Sequence, residues 1–96
     1  MITYADLGEY HAARSSGDEP KRRRAADRLL RYVEEADHRS VMCLIDAEAD
    51  LADQCDAARS QLAGEALRDR LRRLHQLQHE CIVRMHAYER LPTQAA

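Results

Sequence analysis

The stretch that decides the fold is Val41–Tyr88, VMCLIDAEADLADQCDAARSQLAGEALRDRLRRLHQLQHECIVRMHAY. Before its glycine, Val41, Leu44, Glu48, Leu51, Cys55, Ala58 and Leu62 recur at alternating three- and four-residue steps. After it, Leu67, Leu71, Leu74, Gln78, Cys81, Met85 and Tyr88 do the same. That spacing lines one side of an α-helix, in the pattern of a coiled-coil seam. Gly64 lies between the two seams and allows a tight reversal as a C-terminal cap of the first helix. Two seams joined at a glycine predict an antiparallel helical hairpin. Each seam carries one polar interruption, Glu48 and Gln78. Counted outward from Gly64 they are roughly level, so they are candidates for a register-setting polar pair across the hairpin.

The rest of the chain adds helices to this hairpin. Thr3 and Asp6 resemble a capping box, opening a short helix over about 4–14. The segment SSGDEP (Ser15–Pro20) breaks the chain: Asp18 can cap a new helix with Pro20 in its first turn. From Lys21 there is no glycine or proline until Gly64, and Leu30 and Val33 extend the apolar stripe upstream of Val41. The pattern lapses over EADHRS (Glu35–Ser40). This segment reads either as one helix over about 19–63 with an irregularity near His38, or as two helices with Ser40 near the second start. The absence of a breaker favours continuity. The final helix spans about 65–91, stopped by Pro92, with the tail from Thr93 frayed. The fold class is therefore all-α: a small helical bundle built on an antiparallel hairpin with a short N-terminal helix, one domain over 1–96.

Composition points the same way and limits the core. Tryptophan and phenylalanine are absent, and sixteen of the hydrophobic residues are alanine. Alanine buries little area, so a monomeric core would be thin, and self-association as a homodimer or docking on another protein is expected. The net charge of −2 gives no global attraction to nucleic acid or an anionic membrane. No apolar run approaches the ~20 residues of a membrane span, and the N-terminus lacks signal-peptide character, so a cytoplasmic location is expected. Cys43, Cys55 and Cys81 are odd in number and lack CxxC spacing, consistent with reduced thiols.

Several constellations invite chemistry. His75 and His79 are one helical turn apart and His86 two turns further, on one flank beside the seam. Imidazoles so spaced can chelate zinc or copper, but Cys81 points elsewhere and a fourth ligand is not evident. The HExxH order fails, because Val83 occupies the position of the second histidine. Glu35–His38 supplies one ExxH motif where a di-iron bundle needs two. No nucleophile triad or phosphate cradle is present, which points to a non-enzyme without cofactor. Lys21–Arg24 and Arg68, Arg70, Arg72 and Arg73 of the last helix provide an alternative, nucleic acid, but without aromatic platforms. Asp46, Asp50 and Asp53 share one helical face and repel one another. Basic residues of the Lys21–Arg31 segment, or Arg68, Arg72 and Arg73, or a basic partner, are candidates to relieve them.

The main reading is a protein–protein interaction module of chaperone, adaptor or inhibitor (anti-activator) type. Asp46, Asp50 and Asp53 would select a partner electrostatically. Leu67, Leu71, Leu74 and Met85 would supply apolar contact, if not consumed by the hairpin. A metal-binding protein using His75, His79 and His86 is the remaining alternative.

Overall fold

The structure, a computed structural model, describes residues 1–90. It is an all-α hairpin bundle of four helices: α1 (Tyr4–Ser16), α2 (Glu19–Leu30), α3 (His38–Gln61) and α4 (Gly64–Tyr88). Helices α3 and α4 form the antiparallel hairpin. Helices α1 and α2 pair with each other and lie against one side of its open end. The result is elongated, 54 × 29 × 19 Å. Its radius of gyration is 15.0 Å, where a compact chain of this length would have about 12.5 Å.

Local chemistry explains most helix ends. The Thr3 hydroxyl accepts from the Asp6 amide, and α1 ends at Gly17, whose φ of 74° is the left-handed conformation of a glycine cap. Asp18 caps α2 through the Lys21 amide, with Pro20 in the first turn. At the hairpin tip, Leu62 and Ala63 are both extended, and Gly64 opens α4 with a φ of 60°. The glycine therefore starts the second helix of the hairpin instead of capping the first. Two extended residues reverse the chain, and the positive φ then turns it into α4.

The long segment over 19–63 is not continuous. Helix α2 stops at Leu30, the chain passes through Val33, and a 3₁₀ turn at Glu35–Asp37 leads into α3 at His38. Carbonyls released at this break are satisfied from elsewhere. The Arg90 amide donates to the Tyr32 carbonyl at 2.8 Å, and the Arg90 guanidinium reaches the carbonyls of Arg31 and Val33. His38 Nε2 donates to the Val33 carbonyl at 3.0 Å, and Val33 pairs with Glu89 in an isolated antiparallel bridge. The break lets Leu29, Leu30 and Val33 share one core with Val41 and Ile45, joined by Ile2, Leu7, Tyr10, Ile82 and Met85. Each large apolar side chain so buried contributes about 1.5–3 kcal/mol. A helical hydrogen bond given up and remade elsewhere changes little.

Helix α4 ends at Tyr88, the last residue of its seam and short of the expected end near 91, because Glu89 turns extended to meet Val33 and its carboxylate accepts from the Ile2 amide. The expected stop at Pro92 and the tail from Thr93 lie outside the described residues. Ile82, one step round from the seam, is also buried. The reason is that α4 is covered on two sides near its end, by α3 and by the α1–α2 layer, so its apolar stripe is wider than a two-helix seam.

A second, smaller cluster occupies the outer half of the hairpin: Cys55, Ala58 and Leu74, with Leu51, Leu67 and Leu71 half-buried against them. No residue of α1 or α2 belongs to it. This arm is two helices with three buried side chains between them.

Candidate functional site

The polar pair at mid-hairpin is present. Gln78 Nε2 donates to Glu48 Oε1 at 2.9 Å, and the Cys55 thiol lies 3.7 Å from Gln78 Oε1. Glu48 is only 6% exposed, and burial pushes its carboxyl above the usual range, an effect the Gln78 hydrogen bond opposes.

The acidic face of α3 is met by α1. Arg14 donates to Asp50 Oδ1 at 2.6 Å and to Asp53 Oδ2 at 3.0 Å, and lies 3.5 Å from Asp46. The Tyr10 hydroxyl donates to Asp46 at 2.5 Å, and His11 Nε2 lies 2.7 Å from Asp53 Oδ1. The contact with His11, followed by that with Arg14, lowers the Asp53 carboxyl below its usual range. Burial, then the bond to Asp46, raises the Tyr10 hydroxyl. The relief of Asp–Asp repulsion therefore comes from Arg14 and His11 of the first helix. It does not come from Lys21–Arg31 or from Arg68, Arg72 and Arg73, as the charge pattern had suggested. Tyr10 and Arg14 stand four apart on one helical face, a spacing visible in the sequence.

The apolar candidates divide. Leu74 is buried in the hairpin arm and Met85 in the main core, so neither offers surface to a partner. Leu67 and Leu71 are half-buried at the arm. The three histidines do not act as one group. His86 Nε2 donates to the Ile2 carbonyl at 2.9 Å, His79 Nδ1 lies 3.5 Å from the Tyr4 hydroxyl, and His75 is exposed. Among the described residues a different trio, His11, Asp53 and Asp56, has donor atoms within 4.8 Å of one another. Its carboxylates already pair with Arg14 and Arg59, whose charges oppose a bound cation. Of the basic cluster, Arg22 is bound to Glu19 and Tyr10 and Arg28 to Glu9, so Lys21, Arg23 and Arg24 remain exposed beside Glu19 and Asp27. Burial raises the thiols of Cys55 and Cys81, which disfavours the reactive thiolate.

What the sequence did not disclose is the side of the hairpin facing away from α1 and α2. Two shallow grooves run along it between α3 and α4. One, of about 560 Å³, is lined by Ser40, Cys43, Leu44, Arg84, Ala87 and Tyr88. The next, of about 440 Å³, includes Ala47, Leu51, Leu77 and Cys81, with Asp50 and Glu80 at its edges. Both are lined by α3 and α4 alone, and Arg84 is common to both. Leu44, Leu51, Leu77 and Cys81 are half-buried there, and Tyr88 is exposed at the end of the first groove. Cys43, which has no place in either seam, is exposed on this face. The arrangement is a long apolar strip with charged edges, suited to receiving another helical surface.

Comparison with protein-family models, curated proteins and solved structures finds no match to this chain.

Proposed function

We propose that this protein is a non-enzymatic interaction module of the adaptor, chaperone or inhibitor kind, docking a helical partner on the open α3–α4 face. The observation that carries this reading is the two-groove apolar strip, which α1 and α2 leave uncovered. The bare hairpin arm supports it, since three buried side chains are a thin core for two helices. The Asp46, Asp50 and Asp53 set contributes secondarily: Arg14 holds it, yet Asp50 keeps an exposed carboxylate at the groove edge. The three free thiols support a reducing, cytoplasmic setting. No helix among the described residues is long and apolar enough to cross a membrane.

The test is site-specific photo-crosslinking in the native cell. A photoreactive residue at Ala47, in the groove, is compared with one at Arg23, on the exposed side of α2. A discrete adduct from Ala47, missing from Arg23 and lost in a Leu77→Glu background, is expected. Equal yields from the two positions, or none from Ala47, refute the docking face.

A further inference from the structure

The open face has the dimensions of a modest self-complementary interface. The groove lining runs from Ser40 to Gln54 on α3, about 22 Å, and spans roughly 20 Å across two helices. That footprint of about 450 Å² per copy lies below the ~800 Å² per partner of a standard interface and in the range of a weak, micromolar one. Its chemistry is also two-sided. The α3 edge carries Asp50, of which Arg14 takes Oδ1 only. The α4 edge carries Arg73 and Arg84, for which no ion pair forms among the described residues, with Glu80 between them. With the two-fold parallel to the helices, packing α4 on α4 would oppose Arg84 to Arg84 and Glu80 to Glu80, and α3 on α3 would oppose Asp50 to Asp50. Crossing the two edges sets unlike charges together.

We infer that the occupant of the open face is a second copy of this chain, with α3 of each protomer lying beside α4 of the other to close a four-helix bundle. The inference rests on the docking face proposed above and names its partner. In this bundle Leu44, Leu51, Leu77 and Cys81 of both copies form the central layers, and α1–α2 lies outside on each protomer. Arg84 faces the acidic α3 edge across the two-fold.

Sedimentation equilibrium of the full chain tests this. The wild type is expected at twice the 11.0 kDa chain mass at about 50 μM, a concentration that populates a dimer of micromolar affinity. Ala47→Arg places a charged side chain on an exposed helical position of the groove. Arginine is a good helix former, so the monomer keeps its helical circular dichroism while the mass falls to that of one chain. Arg84→Glu weakens the dimer about tenfold, because the charge contact is lost on both sides of the two-fold. A wild type that remains at one chain mass up to about 500 μM overturns the inference, and so does a dimer unaffected by Ala47→Arg. A monomeric wild type whose Ala47 crosslinks to a different protein rejects self-association and keeps the docking face. A monomer with no adduct rejects both.

Discussion

Removing Gln78 should expose what the mid-hairpin pair contributes. Glu48 is buried, and among the described residues its one side-chain hydrogen bond comes from Gln78. In Gln78→Leu that carboxylate loses its donor. A hydrogen bond to a charged group is worth about 1.5–3 kcal/mol, and the added apolar burial at this half-buried position returns under about 1 kcal/mol. The net loss is about 1–2 kcal/mol, or roughly 5–12 °C in Tm for a chain of this size. Replacing both partners removes the buried charge as well. Glu48→Leu/Gln78→Leu should therefore regain the loss and exceed the wild type by about 1–3 kcal/mol, as buried polar pairs do when replaced by packed apolar groups. Because burial raises the Glu48 carboxyl above its ordinary value of 4.5, the folded chain holds more protons than the unfolded chain just above that pH. Stability due to this group then falls as pH rises through the window, and Glu48→Gln should flatten that fall. Urea unfolding followed by circular dichroism, at one fixed protein concentration and at several pH values, measures all four proteins. A double variant less stable than Gln78→Leu alone would show that the pair is not a buried liability and would refute the reasoning.

Four further perturbations bear on the covering layer, the α2–α3 break and the hairpin tip. Arg14→Ala should cost about 1 kcal/mol, by leaving Asp50 without a partner and Asp46 and Asp53 with only Tyr10 and His11, and the loss should shrink in high salt; thermal melts at two ionic strengths check it. Because the Asp53 carboxyl is held below its ordinary value of 3.8, its contribution is present above that pH and lost as pH falls through the lowered value; titrating it by NMR in wild type and His11→Ala should show it rise in the variant. Arg90→Ala withdraws the guanidinium from the Arg31 and Val33 carbonyls, so amide exchange at the α2–α3 break should quicken severalfold while the hairpin arm is unchanged. Gly64→Ala meets no atom within 4 Å, so its cost of about 1 kcal/mol comes from the positive φ alone and should appear as fraying at the hairpin tip.

Local spacing alone determined the helices, the two seams, the caps at Thr3 and Asp18 and the level placement of Glu48 and Gln78. These depend on neighbours within a few residues, and helical periodicity carries that information directly. Tertiary structure decided the rest. The segment around His38 contains no breaker, yet the helix parts there because Arg90, from the far end of the chain, satisfies the carbonyls the break exposes. The acids of α3 find Arg14 and His11, some forty residues upstream. Leu74 and Met85, equivalent in the seam to exposed Tyr88, are buried because of what lies opposite them. Which side of the hairpin stays open depends on where α1 and α2 come to rest, a long-range packing outcome that no single helix encodes in its own pattern.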